Sequence, residues 1–291
     1  MKKINRILVL SALFTIHCSL FTAMAQDKLF TLEDLNFGGK NFHNMQPRNL
    51  WLTWWGEQLM VQDAEQGMPY DATGAASSLF TLKDLGEEWH SLMNAQYPYP
   101  DQPLVLLNNG KERILYDFKQ KAIVWRQESK GQQDADWNKV SRAVAFVKDD
   151  QLHVLDGDGH DFTLTTDGSR EIVYGQSVHR DEFGIYKGTF WSPDGQRLAF
   201  YRMDQSMVTD YPQVDIFPRE ATYEPDKYPM AGMTSHKVTV GVYDLKTQKT
   251  VYLQAGDPTD RYFTNIAWSP DSKTVYMLEL NRAQNDCRLV S

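Results

Sequence analysis

Residues 190–200 read FWSPDGQRLAF, and residues 267–277 repeat the pattern as AWSPDSKTVYM. Each copy consists of a strand with an aromatic residue at its end, a tight turn and a second strand. Proline presets φ near −65° in such a turn, aspartate accepts backbone N–H groups, and glycine supplies the positive φ that closes it. Looser copies occur at residues 50–61 and 144–155. The repeated hairpin therefore predicts an all-β fold.

Hairpins that recur along a chain are typical of the blades of a β-propeller, in which radial repetition protects the strand edges. A blade needs roughly 40 residues, so the chain has room for at most about six. We predict a partial propeller of about four to six blades. Between the two best copies, residues 207–232 contain four prolines, which interrupt strand ladders. This interval holds either a further blade or an excursion over a propeller face.

The first 25 residues have the features of a cleaved secretory signal peptide. Basic residues precede an apolar run over residues 7–21, and Ala-Met-Ala follows at residues 23–25. An uncleaved anchor is the alternative, but polar residues interrupt a run that is already short for a membrane span. Lipidation at Cys18 is disfavoured by the bulky His17 before it. We expect a secreted, periplasmic or cell-surface protein with an N-terminal region over residues 26–103, which includes the first propeller strands. A propeller region, truncated at its C-terminus, follows over residues 104–291.

The composition excludes several classes of protein. With 42% hydrophobic and 23% charged residues, the chain is neither a disordered tail nor a collagen. The formal net charge of −8 leaves no basic surface for a nucleic-acid backbone, so nucleic acids are not expected partners. After removal of the leader, Cys287 is the only cysteine, so no intrachain disulfide can form. Packing must therefore stabilise the fold.

Several segments between residues 164 and 282 together are similar to a known family. They are LTTDG at 164–168, VHRDEFG at 178–184, GTFWSPDG at 188–195, LAFYRMD at 198–204, YPMAG at 228–232 and VTVGVY at 238–243. At these spacings the chain resembles the propeller domain of bacterial dipeptidyl peptidase IV-type serine peptidases of the prolyl oligopeptidase superfamily. The resemblance implies an eight-bladed propeller that caps an α/β-hydrolase domain. It also implies an exopeptidase that releases dipeptides from substrates with proline, or less often alanine, in second position.

In that family, two neighbouring acidic residues of the propeller bind the free ammonium of the substrate. By position, the resemblance assigns this role to Asp181 and Glu182, where the family usually has two glutamates. Two carboxylates within ~4 Å of an ammonium supply charge-assisted hydrogen bonds and Coulomb attraction, each contact contributing about 1.5 to 3 kcal/mol. The alternative is that Arg180, Asp181 and Glu182 form an ordinary solvated turn.

The sequence contains no G-x-S-x-G motif, so the turn that would expose a nucleophilic serine is missing. The resemblance places the catalytic Ser, Asp and His beyond Ser291. We therefore expect no catalytic residue, metal or cofactor in this chain, and no hydrolysis by the chain alone, although the family is one of hydrolases. Expected partners are peptide substrates and the hydrolase domain of a full-length parent, with a homodimer left open. The alternative function is a free-standing periplasmic propeller that binds a protein partner.

Four other candidates invite a functional interpretation. Residues 156–161, DGDGHD, partly match a calcium loop, but the sixth position lacks the required glycine, so we predict a polar hairpin turn. Strand alternation should bury at least one of the tryptophans at positions 51, 54 and 55. Tyr228 and Met230 are expected to pack in the core, with a place at the border of a substrate cavity as the alternative. The family's arginine that contacts the substrate carbonyl has no clear match, and Arg126 is a guess.

Overall fold

The computed structural model describes residues 29–45, 50–71, 73 and 77–291. The predicted signal peptide, residues 1–25, lies outside the described residues. The chain divides into two compact units, Met1–Trp51 and Leu52–Ser291. Within the described residues, no helix is both long enough and apolar enough to cross a membrane.

The described part of the first unit contains two short helices, α1 (Leu32–Leu35) and α2 (Lys40–Met45). Thr31 begins α1 with a capping box, because its hydroxyl accepts the backbone N–H of Asp34 while the Asp34 carboxylate accepts the backbone N–H of Thr31. The helix start therefore follows from the local sequence Thr-x-x-Asp.

Five antiparallel sheets follow one another along the second unit, β1 beginning at the boundary. The first sheet contains β1 (Trp51–Trp55), β2 (Gln58–Gln62), β3 (Gln66–Pro69) and β4 (Phe80–Thr81). The second contains β5 (Leu104–Asn108), β6 (Glu112–Asp117) and β7 (Ala122–Glu128). The third contains β8 (Gln133–Trp137), β9 (Val144–Lys148), β10 (Gln151–Leu155) and β11 (Asp161–Thr163). A 3₁₀ turn, Leu82–Asp84, follows β4.

The fourth and fifth sheets are built from the remaining long strands. The fourth contains β12 (Ile172–Tyr174), β13 (Thr189–Trp191), β14 (Arg197–Asp204), β19 (Lys237–Asp244) and β20 (Lys249–Tyr252), and the fifth contains β21 (Arg261–Trp268), β22 (Val275–Asn281) and β23 (Cys287–Val290). All four hairpins read from the sequence are present, as β1–β2, β9–β10, β13–β14 and β21–β22. The all-β prediction is confirmed.

The proline-rich interval is an insertion within the fourth sheet. Strand β14 pairs directly with β19 along its whole length, from Arg197 opposite Asp244 to Asp204 opposite Lys237. The residues between these strands form two small ribbons, from β15 (Asp210–Tyr211), β16 (Val214–Asp215), β17 (Thr222–Tyr223) and β18 (Asp226–Lys227). The interval is therefore an insertion between β14 and β19 and not a further blade.

Neighbouring sheets pack face to face through their apolar side chains. Alternate residues of a strand point to opposite faces, and β14 is buried on both faces. Leu198 and Phe200 pack on the third sheet, in a cluster with Leu152. Tyr201 packs on the other face, in a cluster with Phe263 of the fifth sheet. This two-sided burial explains why residues 198–201 form a continuous hydrophobic run rather than an alternating pattern.

The tryptophan of the repeated motif joins each sheet to the one before it. The Trp191 indole N–H donates to the backbone oxygen of Asp136 in the third sheet at 2.8 Å. The Trp268 indole N–H donates to the backbone oxygen of Phe190 in the fourth sheet at 2.9 Å. Earlier in the chain, the Trp55 N–H bonds the backbone oxygen of Gln102, and Trp55 packs on the first core cluster. Trp55 is only partly buried, and Trp51 and Trp54 are 55% and 62% exposed, so none of the three early tryptophans is fully buried as the alternation predicted.

Candidate functional site

The two predicted acids lie in an unusual turn between β12 and β13, which we call the acidic turn (His179–Gly184). His179, Arg180 and Asp181 have φ values of 54°, 59° and 61°. This left-handed region costs an L-residue about 1 to 2 kcal/mol, and runs of it are rare. Strained backbone persists where the surrounding structure holds it, and such positions cluster at functional sites. The contacts around the acidic turn therefore matter.

A buried pair of histidines anchors the acidic turn to the rest of the unit. His179 is 3% exposed and His236 is 6% exposed, and their Nδ1 and Nε2 atoms lie 2.7 Å apart. The Nε2 atom of His179 accepts the backbone N–H of Phe263 at 3.3 Å. A neutral imidazole has one donor and one acceptor nitrogen, so His179 Nδ1 carries the proton and donates to His236. Tyr262 packs edge-on against His179.

Both histidines are held in the neutral form. Burial, together with the neighbouring His236, lowers the pKa of His179 from 6.5 to about 3. Burial, together with the positive charges of Arg180 and Arg282, lowers the pKa of His236 to about 4. Since a charged imidazole would lack a buried counter-ion here, the pair bonds as a neutral donor and a neutral acceptor at pH 7.

Arg180 is turned toward the insertion of the fourth sheet. Its Nη1 lies 2.8 Å from the Asp226 carboxylate, and its guanidinium carbon lies 5.2 Å from the centre of the Tyr228 ring. Tyr228 is 42% exposed, so the expectation that it packs in the core is wrong. Its ring instead lies against the Arg180 guanidinium at the surface. Arg180 thus forms its ion pair with Asp226 and not with either of the two acids that follow it.

The carboxylates of Asp181 and Glu182 are exposed. Within the described part of the chain, neither makes a side-chain hydrogen bond or an ion pair, so both can accept a ligand. Asp181 also lines a polar cavity of about 240 Å³, which His179 and His236 border as well. Glu182 does not belong to the lining of this cavity. Chemically, the acidic turn can bind a cation or a group with several N–H donors.

A buried lysine forms another part of the cavity wall. Lys227 is 8% exposed, and its ammonium donates to the backbone oxygen of Val208 at 2.9 Å. The carboxylates of Glu171 and Asp210 lie 3.3 Å and 3.5 Å from the same nitrogen. Because these groups balance its charge, Lys227 is part of the scaffold and leaves Asp181 as the unpaired charge of the cavity.

Two other candidate residues or groups have structural surroundings of their own. Arg126 is largely exposed and lies 3.6 Å from Glu112 on the next strand. In the β10–β11 turn, Asp156, Asp158 and His160 bring potential metal ligands within 4.8 Å of one another. The Asp156 carboxylate already accepts the backbone N–H groups of Asp158 and His160, both at 2.9 Å. The predicted polar hairpin turn is confirmed.

Comparison with known proteins identifies the family. Residues 109–291 match the family described as the dipeptidyl peptidase IV N-terminal region, and the chain belongs to it. The probable dipeptidyl-aminopeptidase B of Phaeosphaeria nodorum is 31% identical over 177 residues, which are 54% of this chain and 19% of that protein. Its counterpart in Talaromyces marneffei is also 31% identical, over 183 residues, which are 56% of this chain and 20% of that protein.

Two solved structures have a fold similar to that of this chain. A crystal structure described as a dipeptidyl aminopeptidase IV from Bacteroides ovatus is 41% identical, with a TM-score of 0.77, and the match covers 90% of this chain and 38% of that one. Porphyromonas gingivalis dipeptidyl peptidase 4 has the same fold, with a TM-score of 0.69 at 21% identity, over 90% of this chain and 40% of that one. The chain thus spans about a fifth of these curated relatives and about two fifths of the solved chains.

Sequence reasoning missed most of the residues that hold the acidic turn. His179 and His236 are 57 residues apart, and Arg180 and Asp226 are 46 apart, so no local spacing links them. The one available signal was the pair of segments 178–184 and 228–232, which the resemblance singled out together. In the structure, Arg180 of the first segment contacts Tyr228 of the second.

Proposed function

We propose that this chain is the substrate-recognition part of a dipeptidyl peptidase IV-like serine exopeptidase. Asp181 and Glu182 bind the N-terminal ammonium of peptides whose second residue is proline or alanine. The hydrolase domain that would supply the catalytic Ser, Asp and His in a full-length parent acts on the peptide held in this way.

The five successive sheets are, in this proposal, blades of an eight-bladed β-propeller. Their antiparallel order, the packing of each of the last three sheets on its neighbour and the similarity to the Bacteroides ovatus structure support it. We also propose that residues 1–25 direct the protein to the periplasm or the cell surface, where peptide substrates are available.

The unpaired carboxylate of Asp181 is the observation that carries the proposed function. It is exposed in a strained turn, it borders a cavity, and the one cation beside it in sequence, Arg180, is bound to Asp226. An ammonium that enters this cavity meets an acceptor whose charge no side chain of the described residues cancels. Since the buried histidine pair holds the backbone of the acidic turn in place, little backbone entropy is lost on binding.

Calorimetric titration of the chain with a peptide that begins Ala-Pro tests the proposed function. The free peptide is expected to bind, and the same peptide with an acetylated N-terminus is expected to bind at least tenfold more weakly, because acetylation removes the charge. Asp181→Asn and Glu182→Gln should each weaken binding by roughly 10- to 100-fold, the range for a charge-assisted hydrogen bond. Equal affinity for the free and acetylated peptides would refute the role of the acids.

Glu220→Gln provides a matched control, since Glu220 is an exposed acid of the insertion outside the acidic turn. This variant should bind the peptide as the parent chain does. Asp226→Asn tests the surroundings of the acids, because it frees Arg180 to pair with Asp181 or Glu182. Peptide binding should weaken although neither acid is altered.

Residues 26–291 alone should not hydrolyse Gly-Pro-anilide. Measurable turnover would contradict the proposal that this chain binds the substrate and that a separate hydrolase domain cleaves it.

A further inference from the structure

A buried arginine lies between the second and third sheets, and no counter-ion is found for it among the residues that the structure describes. Arg113, at the start of β6, is 3% exposed. Its guanidinium donates two long hydrogen bonds of 3.4 Å, to the amide oxygens of Gln127 and Gln132. Across the part of the chain that the structure describes, no carboxylate lies within ion-pair distance of it. Arg113 differs in this from Arg126 on the neighbouring strand, which is exposed and has Glu112 beside it.

A guanidinium in this position is costly unless it has further partners. It carries five N–H donors in a planar fork, and removing an ion from water without a compensating charge costs several kcal/mol. Burial lowers the pKa of Arg113 to about 10, so the side chain is still protonated at pH 7. The fold therefore keeps a positive charge inside, and most of the guanidinium donors have no acceptor among the described residues.

The same arginine lines a cavity of about 200 Å³. Asn94, Gln96 and Asn108 contribute polar walls, and Trp137 also borders the cavity. The indole N–H of Trp137 is buried and, among the described residues, has no acceptor. Two separate side chains at one cavity thus have donors that lack acceptors, and both would be satisfied by a ligand that carries oxygen atoms.

The one acidic residue of the lining, Asp136, has its carboxylate engaged elsewhere. That carboxylate lies 2.9 Å from the Lys187 ammonium and accepts the Thr189 hydroxyl at 3.0 Å. Its charge is balanced on that side, and no carboxylate of the lining is directed to Arg113. An anion of single charge can enter without an unpaired acid opposing it.

We propose that this cavity binds a small monocarboxylate, held by the guanidinium of Arg113. A carboxylate accepts two parallel hydrogen bonds from the fork of arginine, and its single negative charge is balanced by this one guanidinium. A doubly charged phosphate can also bind the fork, but it would leave one negative charge unbalanced in a site of one positive charge. A cavity of about 150 Å³ accommodates a molecule of the size of benzene, so the present one has room for a carboxylate with a few further heavy atoms. The lining shares no residue with that of the cavity beside Asp181. This site is independent of the ammonium site proposed above.

Calorimetric titration with N-acetylglycine and with N-acetylglycinamide tests the carboxylate site. The two probes have nearly the same shape, and only the first carries a carboxylate. The acid should bind with a stoichiometry of one and raise the unfolding temperature, whereas the amide should bind at least tenfold more weakly. Inorganic phosphate at the same ionic strength distinguishes a carboxylate site from a general anion site, and tighter binding of phosphate would overturn the assignment.

Arg113→Gln should abolish binding of N-acetylglycine, and Arg113→Lys should weaken it at least tenfold because the fork is lost while the charge remains. Arg126→Gln, an exposed arginine of the same sheet, should leave binding unchanged. Circular dichroism and thermal unfolding of each variant show that it is folded, and Arg113→Lys keeps the test available if Arg113→Gln does not fold. Unchanged binding in a folded Arg113 variant, or no saturable binding of N-acetylglycine by the parent chain, would refute the proposal.

Discussion

Acidification from pH 7 to pH 5 should destabilise this protein through the His179–His236 pair. Both histidines have folded-state pKa values far below 6.5, about 3 for His179 and about 4 for His236. Between those values and 6.5, the unfolded chain binds protons that the folded chain does not. Stability from the neutral pair is therefore complete above pH 6.5 and is lost as the pH falls toward the folded-state values.

The expected magnitude follows from these pKa values. One pKa unit corresponds to 1.36 kcal/mol, and at pH 5 an unfolded histidine is almost fully protonated while the buried one is not. Each histidine should then lower the free energy of unfolding by about 2 kcal/mol between pH 7 and pH 5. Most carboxylates of the folded protein remain ionised at pH 5, as do those of the unfolded chain, so their contribution over this interval is small.

Urea denaturation at pH 7, 6 and 5, followed by the fluorescence of the eight tryptophans, measures this loss. His236→Gln removes one titrating group and keeps an amide oxygen that can accept the proton of His179, so the loss between pH 7 and pH 5 should be smaller by about 2 kcal/mol. His90→Gln, which changes an exposed histidine, should behave as the parent chain does. If the parent chain lost less than about 1 kcal/mol, or if His236→Gln lost as much as the parent, the neutral pair would not be the acid-sensitive element.

Two further predictions concern packing. Gly168→Ala should lower the free energy of unfolding by about 3 kcal/mol, because the new Cβ would lie 1.9 Å from the backbone oxygen of Asp150. Gly110 has open space around it and a φ of 82°, so Gly110→Ala should lower the free energy of unfolding by only about 1 kcal/mol. Equal losses for the two variants in urea unfolding would contradict the steric reason. Phe80 is 1% exposed, so Phe80→Ala should lower the free energy of unfolding by about 3 to 5 kcal/mol. Phe217 is 95% exposed, so Phe217→Ala should change it by no more than about 0.5 kcal/mol. A large effect of Phe217→Ala would show that Phe217 is covered in solution.

The fold was predictable to the extent that it depends on neighbouring residues. Residues 190–200 and 267–277 form the expected hairpins, because proline, aspartate and serine side chains make their turns within a few residues. In the first, the Ser192 hydroxyl accepts the N–H of Arg197 at 2.9 Å, and in the second Ser269 accepts the N–H of Thr274 at 2.9 Å. What links the two turns is a distant contact, since the Ser272 hydroxyl accepts the N–H of Asp194, and no spacing rule predicts it.

The candidate site was likewise predictable only in part from the sequence. Asp181 and Glu182 were named from the sequence by resemblance, but the left-handed backbone that presents them was not. That backbone depends on His236, Asp226 and Phe263, which are brought next to the acidic turn by the pairing of β14 with β19 and by the packing of the fifth sheet on the fourth. The position of Arg113 is visible in the sequence. That no carboxylate of the described residues lies beside it depends on how the sheets pack.

A seven-residue repeat shows the difference most directly. Residues 29–35 read LFTLEDL and residues 79–85 read LFTLKDL, and in both copies the aspartate carboxylate accepts the backbone N–H of the threonine three residues before it. Yet Phe30 is 70% exposed and Phe80 is 1% exposed. Hydrogen bonds between residues three apart need only the local chain, so the sequence alone determined them. Burial requires a surface supplied by residues far along the chain, so only the tertiary structure decided which phenylalanine belongs to the core.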